Sequence, residues 1–223
     1  MNGNSSKQVL LSVLGIAVLV VAVVGVSFAF FTYSKAGTSN NTLTTGSIFF
    51  NFTEGQAIKL TNQFPVTDAV GSQLNPAEGD NAVLSFDVIG YDGSGRGIDY
   101  TVTAEEGEAV AEKTARLRDS EIKLLLTAPA TATNNYSTAK VVGTDGSLAA
   151  GVTLATGRIT ATTEAAKQTD SYTLRMWITS DVVKLVNGDG AVSDTATHTY
   201  TGDDFAKLYY SLRLKVTANT TGA

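Results

Sequence analysis

The chain has 223 residues, a formal net charge of −5, no cysteine and one histidine. The acidic balance argues against nucleic-acid or anionic-lipid partners. The missing cysteines exclude a disulfide framework and thiol chemistry. The length suits one domain with a core of its own.

The chain opens on an uncharged, apolar stretch, residues 9–31, that ends Ser27-Phe28-Ala29-Phe30-Phe31. As a helix rising about 1.5 Å per residue, such a run spans ~30 Å of hydrocarbon. One reading is a signal peptide with a short polar start, Lys7, and small residues Ser27 and Ala29 before a signal-peptidase cut that frees Phe30. The other is a retained membrane anchor, because the stretch is longer than the ~15 apolar residues of an ordinary signal core. Either way the remainder is exported or tethered at a membrane.

Residues 30–45 are mostly small and polar, with Phe30, Phe31 and Tyr33 at their start. They read as a flexible segment without a core of its own. Residues 46–223 read as the folded domain. Ile48, Phe50 and Phe52 alternate with Phe49 and Asn51; residues 53–80 read as a long loop with short extended pieces. Leu84, Phe86 and Val88 alternate, then Ile98, Tyr100 and Val102, around the turn Asp92-Gly93-Ser94-Gly95-Arg96-Gly97. Two alternating runs around a glycine-rich turn predict a hairpin. Residues 105–119, charged and alanine-containing, read as a short helix. Ile122, Leu124 and Leu126 predict a strand, Val141-Val142 a short one, and residues 152–159 another.

The clearest patterns come last. Tyr172, Leu174, Met176 and Ile178 face one way, with Thr173, Arg175, Trp177 and Thr179 on the other side. Leu208, Tyr210, Leu212, Leu214 and Val216 alternate in the same manner over residues 207–217. Period-two alternation means one buried face and one wet face. Several such strands joined by glycine-rich turns predict an all-β fold, two antiparallel sheets packed face to face.

The sequence lacks the usual catalytic sets. There is no H-E-x-x-H, no G-x-S-x-G and no phosphate-binding glycine loop. A lone histidine, His198, falls short of a zinc ligand set and reads as an exposed loop residue. Asp92, Ser94 and Asp99 offer oxygens, as do Asp181, Asp189 and Asp194 around Asn187-Gly188-Asp189-Gly190, yet Arg96 opposes a cation in the first turn. Both read first as turns. We therefore expect neither cofactor nor metal and no enzymatic activity. Asn51-Phe52-Thr53 and similar matches to N-x-[ST] carry no function. Trp177 falls on the outer face, where it either packs beneath a loop or anchors a subunit contact.

Ala29-Phe30-Phe31-Thr32, followed by Asn41-Thr42-Leu43-Thr44-Thr45-Gly46-Ser47-Ile48-Phe49-Phe50, resembles the N-terminal pattern of the TasA/camelysin family of secreted bacterial matrix proteins. The match covers residues 9–52. It departs at Tyr33, where the family often has Asp, and in a long, weakly basic leader. The resemblance implies a leader cut by a signal peptidase, a jelly-roll β-sandwich and a structural subunit of an extracellular biofilm-matrix fibre. In such a fibre each N-terminal segment completes the next subunit's sheet, a head-to-tail homopolymer with other matrix proteins as further partners. Phe30, Phe31, Tyr33 and Leu43 are then the polymer contacts. Some family members carry a metalloprotease label; this chain lacks the ligands. The alternatives are a membrane-anchored cell-surface binding module and a pilin-like subunit that retains its apolar helix.

Overall fold

The computed structural model describes residues 33–36, 41–45, 48–53, 57–61, 63–75, 82–144, 147–185 and 198–220. The apolar run 9–31 lies outside them, and with it the reading of an N-terminal helix and of Ser27, Ala29, Phe30 and Phe31. The chain separates into two compact units, Met1–Tyr33 and Ser34–Ala223. All the described residues but Tyr33 belong to the second.

The described strands are, in chain order, β1 (Tyr33–Ala36), β2 (Asn41–Thr45), β3 (Ile48–Thr53), β4 (Ile58–Thr61), β5 (Val83–Asp92), β6 (Ile98–Glu106), β7 (Ala115–Arg116) and β8 (Ile122–Thr127). They continue with β9 (Thr133–Asn134), β10 (Lys140–Val141), β11 (Val152–Ile159), β12 (Gln168–Ile178), β13 (Val183–Leu185), β14 (His198–Tyr200) and β15 (Leu208–Thr220). One sheet runs β1-β15-β6-β11-β9, with β4 and β7 also on β15. The other runs β10-β8-β12-β5-β3-β2, and β13 pairs with β14 apart from both. The long pairings β15–β6, β11–β6, β12–β5, β12–β8 and β3–β5 are all antiparallel. The fold is an all-β, sandwich-like structure.

The alternation seen in the sequence maps onto the core. Phe50, Leu84, Phe86, Val88, Tyr100, Val102, Leu124, Leu174, Met176, Ile178, Leu212 and Leu214 are buried in one cluster, with Ile48 half-buried against it. In β11 the alternation breaks. Leu154 and Ala155 are both buried because the register with β6 slips between Thr153 and Ala155. This is a bulge, one extra residue in one strand.

Two expectations are corrected. β5 and β6 are not a hairpin: β5 pairs with β12 and β3, and β6 with β15 and β11, in the other sheet. The turn between them is an arch from one sheet to the other. Asp92 holds it from within, accepting hydrogen bonds from Ser94 N (2.9 Å) and Gly97 N (2.7 Å). Gly97 has φ +82°, a conformation that favours glycine. Nor is there a helix over residues 105–119. Glu105 and Glu106 end β6 against Arg213 and Leu212. Gly107 then packs so close to Ser211 and Leu212 that a Cβ would lie 3.0 Å from them. Pairing with β15 outweighs the local helix tendency of this alanine-containing stretch.

Between the sheets lies a polar cluster. Tyr100 donates from its hydroxyl to Asp170, and the Tyr100 and Tyr172 hydroxyls are 2.7 Å apart. Gln168 Nε2 reaches both Asp170 oxygens at 3.0 Å. Near the η-turn before β8, Tyr210 donates to Asp119 (2.9 Å), and the Arg116 guanidinium sits 4.1 Å over the Tyr210 ring. Burial pushes Tyr172 up to about 12, the nearby Asp170 charge adding to it against the Tyr100 hydrogen bond. Burial, with Glu121 beside it, also pushes Tyr200 up to about 12. Tyr100 and Tyr210, also buried beside carboxylates, are pushed higher still.

The linkage has a definite sign. These phenols keep their protons in the folded state above the ordinary value of about 10, where the unfolded chain loses them. Their contribution to stability is therefore complete below pH ~10 and declines as pH rises beyond it. Absorbance titration should show four of the eight tyrosines ionising late, together with alkaline unfolding. A single ionisation step near pH 10 with the fold intact would contradict this.

Candidate functional site

Sheet edges are candidate binding sites, because unpaired N–H and C=O groups there can bind another strand. At one end each sheet closes on a two-residue strand. β9 meets β11 only at Ala155 and Thr156, and β10 meets β8 only at Leu124 and Lys123. Hydrogen bonds from Asn135 N to Leu154 O (2.9 Å) and from Leu126 N to Tyr136 O (2.8 Å) extend this cover. Short, irregular edges of this kind resist further strand addition.

At the other end the N-terminal strands form the edges. β2 lies antiparallel on β3, from Asn41 opposite Phe52 to Thr45 opposite Ile48, so that Leu43 falls opposite Phe50. Only Gly46 and Ser47 separate the paired ends, the spacing of a tight hairpin. β1, which contains Tyr33, lies beside β15. β4 shares that edge, pairing with Tyr209 to Leu212. Of the expected polymer contacts, the structure thus places Tyr33 and Leu43 on edge strands of different sheets, paired within their own subunit. Phe30 and Phe31 lie outside the described residues. The expected flexible segment 30–45 holds two strands, β1 and β2, among its described residues.

Three further clusters line the surface. The first fastens residues 63–75 across the outer face of the second sheet. Lys123 Nζ holds Asp68 (2.8 Å) and Asp181 (2.5 Å), Val66 bridges to Thr179, and Arg175 Nε donates to Leu74 O (2.8 Å). Burial alone would lower the Lys123 pKa, but the hydrogen bonds it donates to Asp181 and Asp68 outweigh it and raise it. Trp177 lies in the same cross-strand pair as Lys123 and is 2% exposed, roofed by Gly71. It therefore packs beneath a loop. Phe64, 69% exposed, stacks on Phe205 nearby. A Cβ at Gly71 would fall 2.3 Å from the indole. Gly71→Ala should therefore lift the loop, red-shift the emission of the single tryptophan and cost ~1–3 kcal/mol, the usual range for overpacking. An unchanged emission spectrum would refute that packing.

The second cluster corrects the reading of His198. It is half-buried in β14, its Nδ1 2.9 Å from Glu121 Oε1 and its Nε2 2.5 Å from Arg118 Nη1. Glu121 is fully buried, and takes Tyr200 Oη–H (2.6 Å) and Arg118 N–H (2.8 Å). No periodicity marks such a carboxylate, since besides the nearby Arg118 N–H its side-chain partners are His198 and Tyr200, far along the chain. The third is a groove of about 340 Å³ on the outer face of the first sheet, with Thr101, Thr133 and Thr156 among its walls. Its charged residues, Asp99 and Arg158, are paired with each other at 2.6 Å.

The Asp92–Asp99 turn presents no free set, and of the second turn only Asp181 is among the described residues. Asp92 is occupied by its own turn, Asp99 by Arg158 and Asp181 by Lys123. Residues 187–194 lie outside the described ones. Among the described residues, no three His, Cys, Asp or Glu side chains converge, and no helix is long and apolar enough to cross a membrane.

The chain matches no protein-family model, no curated protein and no solved structure.

Proposed function

We propose that this protein is a secreted structural subunit of an extracellular fibre of the TasA/camelysin kind, assembled by N-terminal strand addition to the neighbouring subunit. The observation that carries the proposal is the position of both N-terminal strands at sheet edges, β1 on β15 and β2 on β3. An edge that receives a strand from its own chain has the hydrogen-bonding geometry to receive one from another. Because donor and acceptor are different surfaces, the contact is head-to-tail, and such contacts generate a filament wherever the rotation does not close a ring.

The strand orders support a jelly-roll layout. β4-β15-β6-β11 and β5-β12-β8-β10 are two four-stranded sets between which the chain passes repeatedly. Eight strands in two Greek keys would give such orders, which supports the jelly-roll reading. The reading assigns no catalysis, cofactor or metal. It makes residues 1–29 a leader removed after Ala29, with a signal peptidase and further copies of the chain as the partners, and other matrix proteins as further ones.

The test is N-terminal sequencing and sedimentation of the exported protein. The expected result is a chain beginning at Phe30 and sedimenting as large polymers. Recovery of residues 1–29 on a membrane-bound, monomeric protein would overturn the proposal in favour of an anchored surface module.

A further inference from the structure

We infer that the groove on the outer face of the first sheet binds a neutral glycan chain, laid across the strands along a row of threonine hydroxyls. The inference is independent of the fibre reading. It uses no residue of the N-terminal segment and holds for a monomer as for a fibre.

The row follows from the register. Residues directly opposite each other share one face of a sheet. Thr217 of β15 lies opposite Thr101 of β6, Thr101 opposite Thr156 of β11, and Thr156 opposite Thr133 of β9. Four threonines thus stand in line across four neighbouring strands, ~14 Å end to end at the usual strand spacing. The bulge in β11 sets this line. Counted on without it from the pair Thr153–Thr103, Thr156 would meet Tyr100 and face the core. A bulge that re-aims a side chain is a common feature beside binding sites. No hydrogen bond among the described residues engages the hydroxyls of Thr101, Thr133 or Thr156. On the outer face of the second sheet, by contrast, Ser85 and Thr173 bond each other at 3.2 Å.

The chemistry of the lining selects the ligand. Its two charges cancel, Arg158 Nη1 bonding Asp99 Oδ1 at 2.6 Å, so the groove favours neither an anion nor a cation. The one large apolar ring in the lining, Tyr100, is 1% exposed and turned to Asp170, so an apolar ligand finds no matching wall. A sugar does match. Each sugar hydroxyl donates and accepts, as each threonine hydroxyl does. Arg158 adds charged donors and Asp99 charged acceptors, so neighbouring hydroxyls of one ring can bridge the pair. Asp99 and Arg158 are 40% and 45% exposed, so a sugar displaces water from them without separating the charges. Arg158 also donates to Arg96 O, which steadies the guanidinium. The groove, about 340 Å³, lies at the small end of ligand sites and holds one or two rings. Beyond it the row continues to Thr217, which gives the following rings of a chain further hydroxyl partners.

The test is calorimetric titration of the exported protein with cellohexaose, maltohexaose and mannohexaose, and with glucose and mannose. At least one hexasaccharide should bind, and at least tenfold more tightly than its monosaccharide. Salt should leave that binding unchanged, because the ligand carries no charge to screen. Thr101→Val with Thr156→Val removes two hydroxyls of the row at nearly constant volume and should weaken binding at least tenfold. The emission of Trp177, in the other sheet, should stay as in the parent and so report an intact fold. Thr133→Trp, on the exposed two-residue strand β9, fills the groove from its rim and should abolish binding without touching the core. Binding of no hexasaccharide, or binding that both variants retain, would overturn the inference. Equal affinity for monosaccharide and chain would overturn the chain, and loss of binding in salt the neutral ligand. None of these readouts depends on assembly, so their failure leaves the fibre reading untouched.

Discussion

Leu212→Ala should lower the free energy of unfolding by ~2–5 kcal/mol, the usual cost of emptying a buried leucine site. Leu212 is fully buried and sits where β15 is flanked on both sides, by Ile58 of β4 and Glu106 of β6. Neighbouring strands fixed by main-chain hydrogen bonds cannot collapse into the space a smaller side chain leaves, so a cavity term adds to the lost transfer energy. Leu174, also fully buried and held between β5 and β8, should behave alike. Urea denaturation measures both. A cost below ~0.5 kcal/mol, typical of surface positions, would mean that the alternation in β12 and β15 does not define the core.

Gly157→Ala should be more damaging than its single added methyl suggests. Gly157 lies opposite Tyr100 in the pairing of β11 with β6, and the Tyr100 side chain lies across it. A Cβ there would fall 2.3 Å from the Tyr100 hydroxyl oxygen. The Gly157 backbone is held in the register of β11 with β6, which continues to Ile159, so the tyrosine must move. Moving it takes its hydroxyl away from Asp170, which is 4% exposed. Overpacking typically costs ~1–3 kcal/mol, and a buried carboxylate short of a donor adds a penalty of ~1–3 kcal/mol or more. Tyr100→Phe isolates the second contribution. It should cost more than Tyr172→Phe, because the Tyr172 hydroxyl meets Tyr100 while Tyr100 alone of the two bonds the carboxylate. Equal stability of the two phenylalanine variants would show that Asp170 does not depend on the Tyr100 proton.

Most of the core could be read from the sequence, and the reasons are local. In β12 from Tyr172 to Ile178 and in β15 from Leu208 to Ala218 each inward residue is apolar and the outward ones are mainly polar, a signal contained in a few consecutive residues. The parts that escaped depend on distant partners. β5 and β6 carry the marks of a hairpin, yet their turn is an arch, because which sheet a strand joins is decided by all the strands beside it. The turn residues around Asp92 serve either geometry. Glu105 and Glu106 look helical alone and become strand only against Arg213 and Leu212. Glu121 is buried by residues some eighty positions away, and His198 follows it. At the candidate interface the sequence marked Tyr33 and Leu43 as one segment. The structure puts them on edges of different sheets.

The measurement that bears most directly on the account is negative-stain electron microscopy of the purified protein beginning at Phe30, over a range of concentrations. The account predicts unbranched filaments built of repeating subunits, and their loss when residues 30–45 are removed. Discrete single particles at every concentration would contradict it.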